Sequence, residues 1–182
     1  MALGEKIANN MSGIATGNPK KRAILTPIMA LVFLTITSLF ILVPLWIEKI
    51  LKINLAIPFP VNYILCFIIF IPGAILFLWS VIDFAISKGT PAPINPPKKL
   101  ITGGPYTYSR NPMIGGIFMM MFAAGIYLGS PLMVFVFTPL YMLIHIKSLS
   151  GVEEPELEKR FGEEYRNYKA RTPRFFGWKK RK

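Results

Sequence analysis

Residues 111–144 read NPMIGGIFMMMFAAGIYLGSPLMVFVFTPLYMLI and contain no charged side chain. The run is longer than the roughly 20 residues that cross a bilayer as a helix, and it is just long enough for two short crossings. The sequence Gly129-Ser130-Pro131 divides it, because glycine followed by proline is typical of a turn. We therefore predict a tight helical hairpin with arms at about 112–129 and 131–148.

Two other uncharged runs, residues 23–47 and 53–82, also exceed the length of a bilayer crossing. They predict spans at about 24–47 and 61–86, joined by a short turn. Hydrophobic residues make up 53% of the chain and charged residues 16%, a composition typical of membrane proteins. The predicted fold is an all-α integral membrane protein with four to five transmembrane helices, forming a single membrane domain over residues 1–182.

The lysines and arginines are distributed very unevenly about these spans. With four spans, nineteen of the 21 fall at the two chain ends and in the loop 87–110, whereas Lys49 and Lys52 fall in the turn between the first two spans. The positive-inside rule places both ends and that loop in the cytoplasm. Because the basic residues flank apolar runs, the net charge of +12 indicates attraction to membrane lipids, and we expect no nucleic-acid binding.

The polar sequence after the hairpin predicts one amphipathic helix over residues 154–170. Leu157, Phe161, Tyr165 and Tyr168 have helical spacing and form a single stripe. The preceding Glu153-Glu154-Pro155 is typical of a helix start, with acids at the positive end of the helix dipole and proline in the first turn. We expect this helix to lie on the cytoplasmic side.

A polar, glycine-bounded island, GGPYTYSRNPMIGG, occupies residues 103–116. Asn111 and Pro112 predict a helix start, with the asparagine side chain accepting from the free amides of the first turn. The loop 98–114 and the segment 153–174 offer an apolar and aromatic slot for a purine, carboxylates for ribose hydroxyls or an ammonium group, and guanidinium groups for an acidic substrate. The same residues also suit a surface loop and a capped surface helix, so both interpretations stay open at this point.

Three motifs resemble the isoprenylcysteine carboxyl methyltransferases in a short prokaryotic form. They are Gly-Pro-Tyr-x-x-x-Arg-Asn-Pro at 104–112, Glu-Glu-x-x-Leu at 153–157, and Phe-Gly-Glu-Glu-Tyr-x-x-Tyr-Lys-x-Arg-x-Pro at 161–173. The resemblance covers about residues 95–175. It implies a membrane methyltransferase whose N-terminal spans lie in residues 1–86 and whose catalytic, S-adenosylmethionine-binding half is residues 87–182, with the cofactor site facing the cytoplasm.

The resemblance also implies which residues form the site, and it implies a prenylated or other lipophilic substrate that enters from the bilayer. For the acceptor, we expect a carboxylate oriented by Arg110, Arg171 or Arg174. The implied cofactor contacts are Lys98, Lys99, Leu100, Ile101, Tyr106, Asn111, Pro112, Met113, Ile114, Glu153 and Glu154.

This sequence departs from the family pattern at three positions. Asn111 and Ile114 stand where the family usually has histidine and tyrosine, so we expect the helix-end amides to hold the cofactor there. Leu149 stands where eukaryotic members have a substrate-orienting arginine.

Other functions also fit the pattern. They are a phospholipid N-methyltransferase, which would need a base to deprotonate its amine, a nicotinamide-dependent sterol-type reductase, and a membrane scaffold or small transporter.

Overall fold

The computed structural model describes residues 9–10, 13, 17–87, 89–90 and 97–175. All regular secondary structure in these residues is helical, which confirms the all-α class. Three helices are long and apolar enough to cross a membrane, namely Lys20–Leu51, Val61–Ile86 and Met133–Phe161, and Pro112–Tyr127 is a shorter apolar helix. The chain is therefore an integral membrane protein.

Helices α1 (Pro19–Leu51) and α2 (Val61–Ile86) form the N-terminal part of the bundle. The 33 residues of α1 make a helix about 50 Å long, well beyond the roughly 30 Å of hydrocarbon in a bilayer. Its ends therefore extend past the predicted span 24–47. Large apolar side chains point outward along both helices, and Leu31 and Ile68 are each 64% exposed. Such surfaces are stable only against lipid or another apolar partner.

Helix α3 (Pro112–Tyr127) and the turn after it confirm the predicted hairpin. Gly129 adopts a φ of 65°, which reverses the chain. The Ser130 hydroxyl accepts a hydrogen bond from the Met133 amide at 3.1 Å. The Glu48 carboxylate of α1 accepts one from the Leu132 amide at 2.6 Å, so α1 is tied to the start of the second arm.

Helices α2 and α3 pack with their backbones in contact. A Cβ atom added to Gly116 would lie 2.5 Å from the Gly73 carbonyl oxygen and 2.9 Å from the Phe77 amide nitrogen. No side chain fits into that space, because real Cβ atoms do not approach other heavy atoms so closely. The C-terminal end of the segment 103–116 is therefore held against α2.

The second arm of the hairpin runs much farther than predicted, as one continuous helix from Met133 to Phe161. It consists of a π-helical turn (Met133–Phe137), α4 (Thr138–Ser148), a second π-helical turn (Leu149–Glu153) and α5 (Glu154–Phe161). The predicted helix start at Glu153-Glu154-Pro155 is wrong. Pro139 and Pro155 each follow a π turn by two residues, and the wider turn accommodates a ring that would clash with an ordinary helical turn.

The predicted single helix over 154–170 is also wrong, because Gly162 separates α5 from α6 (Glu163–Arg171). Gly162 has φ 56° and ψ −124°, a conformation that side-chain-bearing residues rarely adopt. The predicted apolar stripe is nevertheless confirmed. Leu157, Phe161, Tyr165 and Tyr168 pack in one cluster around Tyr106, since the turn at Gly162 brings α6 back onto the same side.

Candidate active site

A cleft lies between the segment 97–111, which connects α2 to α3, and the polar elements from Ser148 to Tyr168. Its empty space, including the part open to solvent, is about 950 Å³. Apolar side chains such as Leu100, Ile101 and Leu157 line it together with charged ones. The cleft therefore offers both apolar and polar contacts to a ligand.

A cluster of three buried tyrosines forms the base of the cleft. A short 3₁₀ helix, Gly104–Thr107, turns Tyr106 inward, where its ring packs edge-on against Phe84 of α2 at 6.0 Å. The Tyr168 hydroxyl of α6 donates to the Tyr106 carbonyl oxygen at 2.7 Å. Burial raises the pKa of the Tyr106 and Tyr168 hydroxyls, and it raises the pKa of Tyr165 to about 12. All three hydroxyls are therefore neutral hydrogen-bonding groups at physiological pH.

Glu154 is the centre of an ion-pair network beside this cluster. Its carboxylate is 2.8 Å from Arg110 of the connecting segment, and it accepts two hydrogen bonds from Arg174 at 3.0 and 3.1 Å. Lys169 approaches it to 3.2 Å. A hydrogen bond to Glu158 raises the pKa of Lys169, so its ammonium group stays charged. The network joins α5, the connecting segment and the residues after α6.

Residues 173–175, the C-terminal strap, lie along the start of α3. The Arg110 amide donates to the Pro173 carbonyl oxygen at 2.9 Å, and the Asn111 amide donates to the Arg174 carbonyl oxygen at 3.1 Å. Asn111 makes no side-chain capping bond. The expected asparagine cap is therefore wrong, and the amides of Arg110 and Asn111 bind the strap and are not free for a cofactor.

The predicted cofactor contacts divide into two groups. Seven line the cleft, and four lie outside its lining. Among those four, Pro112 is fully buried and Ile114 packs into the helix bundle, because both belong to the first turn of α3. Those in the lining are Lys99, Leu100, Ile101, Tyr106, Asn111, Glu153 and Glu154; those outside it are Lys98, Pro112, Met113 and Ile114.

The three arginines expected to orient an acceptor are not equivalent. Arg110 lines the cleft, but its guanidinium binds Glu154. Arg174 binds the same carboxylate and lies outside the lining. Arg171 is exposed, and its guanidinium donates to the Asn167 carbonyl oxygen. An acceptor carboxylate would therefore have to compete with Glu154 for Arg110 and Arg174. Arg171 does not line the cleft.

One wall of the cleft is a helical column that sequence reasoning only partly found. Its members recur every four residues in two adjacent rows, and the π turn at Leu149–Glu153 keeps the rows facing one way. Glu156 and Arg160 of this column carry charge into the cleft and were not predicted. The four-residue spacing predicts Glu156 and Arg160 in the cleft only if residues 148–161 form one continuous helix. The column is Ser148, Leu149, Val152, Glu153, Glu156, Leu157, Arg160 and Phe161.

The Glu153 carboxylate in this column forms no hydrogen bond or salt bridge with any residue that the structure describes. Its neighbour Glu154 is fully engaged by three cations. A carboxylate that lines a cleft without a protein partner is available to a ligand.

The fold and the cleft together define a helical membrane protein with a polar site at one end of its bundle. Residues 61–164, more than half of the chain, match the family model described as phospholipid methyltransferase, and the chain belongs to that family. It is accordingly a membrane methyltransferase, and enzymes of this family generally use S-adenosylmethionine. Comparisons with curated proteins and with solved structures gave no match.

Proposed function

We propose that this protein binds S-adenosylmethionine in the cleft and catalyses transfer of its methyl group to the amine of a phospholipid that enters from the bilayer. The observation that supports this function best is the Glu153 carboxylate, which lines a partly apolar cleft and has no partner in the described part of the chain. Leu100 and Ile101 suit an adenine ring. Glu153 suits the ribose hydroxyls or the ammonium group of the cofactor, as the family resemblance implies.

The charges in the cleft favour an amine over a carboxylate as the acceptor. Arg110 is already paired with Glu154, and Arg171 lies outside the lining. Glu153 and Glu156 add two carboxylates to the lining, beside the cations Lys99 and Arg160. With Glu153 bound to the cofactor, Glu156 is the carboxylate left to attract an amine. In the reaction, the ammonium group of the lipid would first transfer a proton to water in the open cleft. Its nitrogen would then form a bond to the methyl carbon as the carbon–sulfur bond breaks, and S-adenosylhomocysteine would leave.

A carboxylate of a prenylcysteine-like molecule is the second candidate acceptor. The observation that favours it is Lys99, whose side chain is exposed in the cleft lining without an ion pair among the described residues. The Lys99 ammonium group could hold an acceptor carboxylate close to the cofactor as a point charge, without the two parallel hydrogen bonds that an arginine makes.

Purified protein offered two acceptors together with methyl-labelled S-adenosylmethionine would separate these candidates. One acceptor is phosphatidylethanolamine in phosphatidylcholine vesicles, and the other is a farnesylcysteine analogue in the same vesicles. We expect label in the phospholipid fraction. Label in the farnesylcysteine alone would establish the second candidate, and a protein that binds no S-adenosylmethionine in calorimetry would contradict both.

A further inference from the structure

Glu156 and Arg160 form an incomplete ion pair inside the cleft. They lie one turn apart on α5, with the Arg160 Nε atom 3.6 Å from the Glu156 Oε1 atom, a distance too long for a hydrogen bond. The Arg160 side chain is only 16% exposed, and the Glu156 side chain is only 8% exposed. Neither atom has a hydrogen-bond partner among the residues that the structure describes, although both side chains line the cleft.

This pair differs from the ion pairs around Glu154. Glu154 receives hydrogen bonds from two arginines and contacts a lysine, so its burial is compensated. Glu156 and Arg160 lose hydration without forming the hydrogen bonds that would replace it, an arrangement that costs stability. Buried polar atoms without partners are rare in folded proteins, so each one calls for an explanation such as a bound water, an ion or a functional role.

The geometry of Arg160 is well suited to binding an anion. Its guanidinium lies 4.5 Å from the centre of the Phe161 ring, a cation–π contact that restricts its orientation. The planar group has donors matched to two oxygens of a phosphate. Glu156 places a carboxylate directly beside it, so the cleft presents a positive and a negative group side by side.

We propose that Glu156 and Arg160 form a subsite for the zwitterionic head group of a phospholipid, with the phosphate at Arg160 and the ammonium group at Glu156. This subsite rests on the proposed function, because the head group would be that of the methyl acceptor. It assigns binding of the lipid to α5 and leaves Glu153 to the cofactor. Glu156 and Arg160 then determine which lipids are accepted.

The test compares wild-type protein with Glu156→Gln and Arg160→Gln in detergent. Calorimetry measures binding of three soluble dihexanoyl lipids, carrying ethanolamine, choline or glycerol on the phosphate. We expect either substitution to weaken binding of the ethanolamine and choline lipids about tenfold, because a charge-assisted contact is lost. Only Arg160→Gln weakens binding of the anionic glycerol lipid. The affinity for S-adenosylmethionine stays unchanged in both variants.

Arg166→Gln is the matched control for Arg160→Gln, since Arg166 belongs to an exposed ion pair with Glu163 on α6 and both substitutions remove one positive charge. Unchanged lipid affinity in both glutamine variants would overturn the subsite, and so would a loss of cofactor affinity with lipid affinity retained. If a glutamine variant does not fold, Arg160→Lys serves instead, because it keeps the positive charge but removes the paired donors of the guanidinium. We expect Arg160→Lys to weaken phosphate binding, and full affinity would again overturn the proposal.

Binding of the choline lipid separates the subsite from the reaction, because a quaternary nitrogen accepts no further methyl group. Wild-type protein that binds the choline lipid through Arg160 but methylates no phospholipid would support the subsite and contradict the proposed function. Methylation of phosphatidylethanolamine that is equally efficient in both glutamine variants would contradict the subsite alone.

Discussion

Glu154 joins three segments of the chain through a single buried side chain, which is 5% exposed. Its partner Arg110 is only 10% exposed and cannot regain water when the carboxylate is removed. We therefore expect Glu154→Ala to lower the free energy of unfolding by roughly 3–5 kcal/mol, the cost of an uncompensated buried charge. Thermal unfolding of the purified protein in detergent measures it.

Glu163→Ala is the control for that substitution. The Glu163 side chain is 77% exposed and pairs with Arg166 at 2.9 Å, so its loss should cost less than about 1 kcal/mol. Equal effects of the two substitutions would show that the Glu154 network contributes no more than a surface ion pair.

Glu153 differs from Glu154 in having no partner among the described residues, so its removal should affect ligand binding and leave stability unchanged. We expect Glu153→Ala to weaken S-adenosylmethionine binding about tenfold, because contacts from a carboxylate to hydroxyl or ammonium groups are lost. Calorimetry measures the affinity, with exposed Glu164→Ala as the control. Undiminished affinity in Glu153→Ala would remove Glu153 from the cofactor site.

The connection between α5 and α6 depends on the backbone of Gly162. Because an added Cβ there would meet no atom within 4 Å, any effect of Gly162→Ala comes from the φ of 56° alone. We expect this strain to cost roughly 1–3 kcal/mol and to displace Tyr165 and Tyr168 from the base of the cleft, which lowers methyl transfer. Thermal unfolding and activity measure the two effects.

Gly151→Ala provides the comparison for Gly162→Ala, since an added Cβ also meets nothing there and the backbone is helical. We expect Gly151→Ala to be neutral or slightly stabilising, because alanine favours helix over glycine. A similar loss of stability in both variants would mean that the backbone angle of Gly162 is not the cause.

The hairpin was predictable from the sequence, and the course of the chain after it was not. Gly129-Ser130-Pro131 marks the turn locally, and an uncharged run of fixed length leaves few alternatives. Pro155, in contrast, follows two glutamates, as it would at a helix start. Whether the helix ends before Pro155 or continues through it depends on the π turn at Leu149–Glu153. No local sequence pattern predicts that turn. The column that carries Glu156 and Arg160 was missed for that reason.

The loop and the C-terminal segment were correctly expected to come together, because each carries complementary chemistry. Their detailed pairing was beyond prediction. Glu153 and Glu154 both line the cleft, but only Glu154 binds Arg110 and Arg174. Which of the two binds the arginines follows from the rotation of α5 after the π turn. A sequence motif treats the two as equivalent neighbours.

Across the whole molecule, the cleft occupies one end of the bundle, and we predict from the charge distribution that this end is cytoplasmic. We expect a cysteine introduced by Ser150→Cys, at an exposed position beside the cleft, to react with a membrane-impermeant maleimide in inside-out vesicles only. Cys66 is the single native cysteine, and Cys66→Ala provides the background.

Lys52→Cys, in the turn between α1 and α2, is the counterpart for that experiment. It should react only in right-side-out vesicles. Labelling of the two positions from the same side would contradict the topology, and a reversed pattern would put the cleft outside the cytoplasm.

The C-terminal strap also has a consequence for biosynthesis. Its Arg174 carbonyl oxygen binds the Ser109 hydroxyl, 65 positions earlier in the chain. While the ribosome is still making α6, the start of α3 has been synthesised, yet the Pro173 carbonyl oxygen that accepts from the Arg110 amide does not yet exist. The wall of the cleft is therefore complete only after the residues that follow α6 have been synthesised. A nascent chain halted before Pro173 would carry every membrane-crossing helix described here and still lack a finished site.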